Sequence, residues 1–160
     1  MQNVELAQAY VAVIAGSADA TVDFRVLHDR EIGLPGQTRR STLADAWSWL
    51  CAMNDQGFGV VMVAARLDGN GQKMENVLAL RCNYIDIDGQ DSHQQYERAA
   101  ASKPEPTFAV QSSPGKFHVF WKTAEYSDRI RFTTIQRKLA TVFNSDRAVS
   151  DATRVLRLAG

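Results

Sequence analysis

Residues 77–88, VLALRCNYIDID, constrain the fold more than any other stretch of the chain. The run is apolar and β-branched along most of its length and follows a cluster of turn residues, so it reads as a buried strand. Successive side chains of a strand point to opposite faces, which sets Ile85 and Ile87 on one side and Asp86 and Asp88 on the other. Two carboxylates side by side at the end of an apolar strand repel one another. A hard divalent cation such as Mg²⁺ or Mn²⁺ is the usual remedy; a solvated strand end, with Asp88-Gly89 starting a turn, is the other reading. A second apolar run, 57–65, precedes this one, and Asp68, Gly69, Asn70 and Gly71 lie between them, so the two read as strands joined by a hairpin. The string after Asp68 imitates a calcium loop, but its twelfth position is Ala79 where a bidentate glutamate is required, and calcium is discarded there.

Elsewhere helical and extended patterns alternate. Leu6, Tyr10, Val13 and Ile14 recur at helical spacing over 3–14, and Val22, Phe24 and Val26 alternate with Asp23 and Arg25 as in a strand with one wet face. Residues 28–40, with Gly33, Pro35 and Gly36, read as a long loop. Ser41 or Thr42 can cap the next helix, whose stripe of Leu43, Ala46, Trp47 and Leu50 makes Trp47 and Trp49 core anchors. A helix over 92–101, a strand over 107–111, a turn over 112–115, a strand over 116–122 and a helix over 127–143 precede a closing segment, 146–160. Strands that alternate with helices and also form hairpins predict an α+β fold with a split βαβ sheet.

Eighteen basic and eighteen acidic residues leave the 160-residue chain formally neutral, which excludes a polyelectrolyte tail or a uniformly basic nucleic-acid wrapper. The zero is a cancellation: residues 1–114 carry nine basic and fourteen acidic side chains, net −5, and residues 115–160 carry nine and four, net +5. Cys51 and Cys82 sit in apolar stretches and suggest neither a disulfide framework nor a zinc site. No run approaches the roughly 18 apolar residues of a membrane span, and the first ten residues lack the order of a signal peptide, so a reduced, cytoplasmic protein without membrane contact is expected.

Two further stretches carry chemistry. In SSPGKFHVFW, 112–121, a regular strand after Gly115 puts Lys116 and His118 on one face, a plausible grip for polyphosphate; a structural histidine between Phe117 and Val119 is the alternative. In 143–160, Asp146 follows a helix and could complete a cradle of three carboxylates, while Arg154 and Arg157 offer permanently charged forks for phosphate. An ordinary surface aspartate with two arginines in salt bridges fits the same segment.

The order of these pieces, an apolar strand ending in Asp86-x-Asp88, a short segment ending in His118, then Asp146 followed by Arg154 and Arg157, resembles the archaeo-eukaryotic primase superfamily. The likeness is to the primase-polymerases of plasmids, phages and other mobile elements. The motifs span 86–157, about half the chain. The resemblance implies a single catalytic domain in two parts, an amino-terminal α/β module over about 1–76 and a metal-binding, RRM-like module over about 77–160, within a longer replication protein. It implies template-directed nucleotidyl transfer, with Asp86, Asp88 and Asp146 holding two Mg²⁺ or Mn²⁺ ions and Lys116, His118, Arg154 and Arg157 on the phosphates of an incoming NTP or dNTP. The other partners it implies are a single-stranded or primed DNA template and, since members often continue into one, a helicase. Arg39 and Arg40 are candidates for the template.

Two departures from the family pattern matter. The small residue usual two places before the histidine is Lys116 here, and Asp151 competes with Asp146 as third ligand, Asp146 having the family's spacing to both arginines. Two rival functions compete, a noncatalytic RRM-like module binding single strands and a metal-dependent nuclease. The first lacks the aromatic residues such a module displays on a central strand, where this chain has carboxylates.

Overall fold

The computed structural model describes residues 3–28 and 35–160. Helix α1 (Val4–Ala15) is capped by Asn3, whose side chain accepts from the Leu6 N–H at 3.1 Å, and stops at Gly16 with φ 91°. Strand β1 (Val22–His28) follows, then β2 (Gln37–Ser41), α2 (Leu43–Asp55), β3 (Phe58–Val63) and a two-residue strand, β4 (Arg66–Leu67). The second half contains β5 (Val77–Ile87), α3 (Ser92–Ala100), β6 (Phe108–Ser113), β7 (Lys116–Tyr126), α4 (Arg129–Phe143) and β8 (Val155–Arg157). The α+β class read from the sequence is the class observed.

Two four-stranded antiparallel sheets result, with strand orders β2-β1-β3-β8 and β4-β5-β7-β6. The closing strand β8 therefore returns to the first sheet, where Val61 pairs with Arg157 and Val63 with Val155. The main core draws on α1, α2 and both sheets, through Val11, Phe24, Leu50, Met62, Cys82 and Phe120 among others. A smaller cluster of Ile85, Ile87, Phe117, Val119, Trp121 and Phe143 lies behind the second sheet, under α3 and α4. Residues 85 and 87 thus face one cluster while Tyr84 and Cys82 face the other, the alternation expected of a strand buried on both sides.

Three local expectations are corrected. The apolar runs at 57–65 and 77–88 do not pair with each other: β3 lies between β1 and β8, and β5 lies between β4 and β7. Five of the six residues of β3 are buried, so it needs cover on both faces, and the chain crosses between the sheets at Ala64 and Ala65. The turn after Asp68 joins only β4 to the start of β5, with Arg66 opposite Ala79 and Leu67 opposite Val77. The loop over 28–40 ends in a strand, since β2 pairs with β1 from Val22–Ser41 to Val26–Gln37; its side chains are nearly all exposed, and an edge strand with no apolar alternation leaves no periodic signal. Residues 29–34, including Gly33, lie outside the described residues. Trp47 and Trp49 pack against the core only in part, and Arg39 lies over the Trp49 ring at 5.7 Å. Among the described residues neither Cys51 nor Cys82 is in a disulfide, and no helix is long and apolar enough to cross a membrane.

Candidate active site

Register assembles the site. Strands β5 and β7 pair so that Asp86 stands directly opposite His118, and Nε2 of His118 lies 3.5 Å from Oδ1 of Asp86. Two residues further along each strand, beyond the end of β5 and at the start of β7, Lys116 Nζ is 3.9 Å from Asp88 Oδ2. The β6–β7 turn that delivers Lys116 requires Gly115 at φ 72°, in the left-handed region. The third member comes from the loop after α4: the Asp146 N–H donates to the Asp86 carbonyl at 3.1 Å, and Arg154 Nη2 is 3.5 Å from Asp146 Oδ2. Each of the three carboxylates proposed from sequence therefore meets one of the proposed bases.

Electrostatics follow from burial. The Asp86 carboxyl is pushed up to about 6 by desolvation first, then by the negative charges of Asp88 and Asp146. Burial, then the charges of Arg157 and Arg154, push His118 down to about 4, so it is a neutral imidazole at pH 7. Neutral, it sets a polar ring nitrogen beside Asp86 and not a counter-charge. Its other ring nitrogen, Nδ1, is buried without a hydrogen-bond partner among the described residues. A cavity of about 470 Å³ opens beside it, walled by Ser112, Ser113, Lys116 and His118 and, from the first sheet, by Leu27, Val61, Val155 and Arg157. Its lining mixes basic and apolar side chains, Arg157 lying on the same strand as Val155 and opposite Val61.

The donor set fits a hard cation. Asp86, Asp88 and Asp146 supply oxygen ligands only, and the charges of Asp88 and Asp146 add to burial in raising the Asp86 carboxyl. Among the described residues no three such side chains already converge as a closed cage; the contacts with His118, Lys116 and Arg154 hold each carboxylate to its own base. The Asp151 side chain is occupied within its own turn, Oδ1 accepting from the Thr153 N–H at 3.0 Å and hydroxyl at 2.9 Å.

Arg40 and Arg39 lie apart from this group on β2, the far edge of the first sheet. The Arg40 guanidinium is committed to the Asp23 carboxylate and to the Leu67 carbonyl.

One organising residue escaped the sequence reading. Gln136 of α4 is 1% exposed and uses both ends of its amide on the unpaired edge of β5. Its oxygen accepts from the Tyr84 N–H at 3.1 Å and from Asn83 Nδ2 at 3.0 Å; its nitrogen donates to the carbonyls of Tyr84 at 2.9 Å and Val149 at 3.3 Å. It does for Tyr84 what a neighbouring strand would do, and it ties the loop carrying Asp146 to the strand carrying Asp86. The Tyr84 hydroxyl adds a bond to the Asp151 carbonyl at 3.0 Å. The clue was present in the stripe Phe132, Gln136, Ala140 and Phe143, where a polar residue occupies a core position.

The family model for the RepB DNA-primase N-terminal domain matches residues 37–160. The chain belongs to this family. Its members' expected fold is also the one found among solved structures. The AEP domain of the cyanophage S-2L primase-polymerase superposes with a TM-score of 0.78 at 22% identity, over 99% of this chain and 82% of that one. Primase RepB′ gives 0.69 at 20%, over 99% of this chain and 50% of that one. The catalytic domain of RepB′ in complex with initiator DNA gives 0.65 at 21%, over 98% and 75%. No curated protein is significantly similar in sequence. Membership in the RepB primase family agrees with the superfamily resemblance carried by the three motifs.

Proposed function

We propose that the chain is a DNA primase-polymerase catalytic domain performing template-directed nucleotidyl transfer in the replication of a plasmid, phage or other mobile element. The observation that carries the reading is the apposition of Asp86, Asp88 and Asp146 with His118, Lys116 and Arg154, of which His118 and Lys116 also line a cavity together with Arg157. Its two modules would be an amino-terminal one over about 1–76 and a metal-binding, RRM-like one over about 77–160, with β4 of the first pairing in the second sheet and β8 of the second in the first sheet.

Asp86, Asp88 and Asp146 would hold two Mg²⁺ or Mn²⁺ ions. When bound, such ions supply Lewis-acid stabilisation of the attacking and leaving oxygens of an in-line displacement. The chain's own residues bind and orient. Lys116 and Arg157 place positive charge in the cavity lining, where a triphosphate of an NTP or dNTP would be attracted, and Arg154 adds a planar fork beside Asp146. His118, neutral and buried, can offer a ring N–H to a phosphate oxygen without carrying a charge into the site. The apolar side chains of Leu27, Val61 and Val155 can cover the less polar part of the nucleotide and exclude water from it. Catalysis by positioning and charge neutralisation needs no covalent intermediate on the protein.

Incubation with a primed template, nucleotides and Mn²⁺ should give extended primers that disappear with Asp86→Ala. Shortened substrate would favour a nuclease, and DNA binding without any product would favour a noncatalytic module.

A further inference from the structure

Helix α4 presents a face that the site does not use. Its inner side is buried through Phe132, Gln136, Ala140 and Phe143. Its outer side, set by the helical repeat, carries Arg131, Thr134, Arg137, Lys138 and Thr141, all exposed. The whole helix holds four basic residues, Arg129, Arg131, Arg137 and Lys138, and no acidic one. Most basic side chains elsewhere in the second sheet and around the site are neutralised: Arg81 and Arg66 by Glu125, Lys116 by Asp88, Arg154 by Asp146. Among the described residues Arg129, Arg137 and Lys138 have no acidic partner, and Arg131 rests only on the Tyr126 ring at 5.7 Å. The Thr134 and Thr141 hydroxyls donate back to the carbonyls of Ile130 and Arg137, so the side-chain charge of this face comes from its cations alone.

We infer that this outer face of α4 binds the phosphate backbone of the primer–template duplex. A row of unneutralised cations matches a polyanion and reads no base sequence. Position selects nucleic acid over an acidic protein. From Lys138 the helix runs five residues to Phe143, about 7 Å of rise, and a short turn then delivers Asp146. Lys138 thus lies no more than about 18 Å from Asp146, roughly five base steps along a duplex. The inference rests on the polymerase reading for the identity of the polymer, and it assigns the contact to α4 in place of the β2 arginines, of which Arg40 is already paired with Asp23.

Fluorescence anisotropy of a labelled primer–template, in EDTA and without nucleotide, over about 50 to about 300 mM KCl, tests it. Arg137→Ala/Lys138→Ala should weaken binding about tenfold or more near 100 mM salt and flatten the slope of log K against log salt by about 1.8, roughly 0.9 per lost phosphate contact. Arg137→Lys/Lys138→Arg should restore both. Binding of a fluorescent nucleotide with Mn²⁺ should be unchanged in all variants, because neither residue touches the cavity. Unchanged affinity and slope in the alanine variant would overturn the inference, as would charge-dependent capture of an oligoglutamate peptide with DNA binding intact. A wild-type protein that binds the duplex through α4 yet extends no primer would overturn the polymerase reading and leave this surface standing.

Discussion

Replacing Asp86 by asparagine should make the metal-free protein more stable while abolishing its activity. The carboxyl is raised from 3.8 to about 6 by burial and by the charges of Asp88 and Asp146. A carboxyl with a raised folded pKa contributes stability in its protonated form: the contribution is complete below the unfolded value near 3.8 and is lost as pH rises through about 6. At pH 8 the native state therefore carries an ionised group it disfavours. Two pKa units correspond to about 3 kcal/mol at most. Because 22% of the side chain is exposed and water screens part of the repulsion, about 2 kcal/mol is the better figure. Asp86→Asn removes that charge at nearly constant shape, so in EDTA at pH 8 it should raise Tm by roughly 4–8 °C in a domain of this size.

Thermal melts of both proteins across pH 4–8 give the decisive curve. His118 acts in the opposite sense, since its folded pKa is depressed to about 4 from 6.5; its contribution is complete above 6.5 and is lost as pH falls toward 4. The wild-type curve is thus a sum of opposed effects in one window, and the difference between the two proteins isolates Asp86. That difference should be largest at pH 8 and should close as pH falls through 6 toward 4. Saturating Mn²⁺ should reverse the ranking, because ligand binding stabilises only the protein that retains the site. An asparagine variant no more stable than wild type at pH 8, or a gap that persists undiminished at pH 4, would refute the argument that the carboxylate is under electrostatic stress.

Asp146→Asn should weaken Mn²⁺ binding by about 10–100-fold in calorimetry, whereas Asp151→Asn, whose side chain serves its own turn, should change it little. Gln136→Leu should lower stability in urea by about 2–4 kcal/mol, since it strips partners from buried groups of Tyr84, Asn83 and Val149. Lys116→Met should leave stability within about 0.5 kcal/mol, its side chain being half exposed and its ion pair with Asp88 long, while nucleotide binding measured by fluorescence falls.

What could be read from the sequence was what repeats locally. The alternation in β5 put Asp86 and Asp88 on one face before any pairing was known, and Gly115 marked the turn into Lys116 and His118. Register across strands has no local signature, so nothing in the sequence set His118 opposite Asp86 and not one residue away. Strand partners were misread for the same reason: 57–65 and 77–88 are both apolar and separated by turn residues, and only the cover each demands on two faces sends them to different sheets. Strand β2 was missed because a wet edge strand has no apolar period. Gln136 was missed because its role depends on where the short strand β4 ends, which leaves the β5 edge at Tyr84 to be satisfied by a side chain.

That unpaired edge explains why the site is where it is. Strand β4 pairs with β5 only as far as Ala79, and from Tyr84 onward the edge is closed by Gln136 and then by the Asp146 N–H on the Asp86 carbonyl. A fifth strand there would have satisfied the backbone equally well but would have filled the space into which the Asp146 loop brings its carboxylate. Leaving the edge to a loop brings a third acid to the two already fixed by strand alternation, and the loop continues through Arg154 to Arg157 on β8, which lines the cavity from the first sheet. The acidic first part of the chain and the basic last part, net −5 and +5, meet at this junction. Each carboxylate there has a basic side chain within 4 Å, but the neutral His118 leaves the Asp86 charge uncompensated until a ligand binds. Binding metal at the acids would free the same bases for phosphate, so neither ligand should bind well without the other.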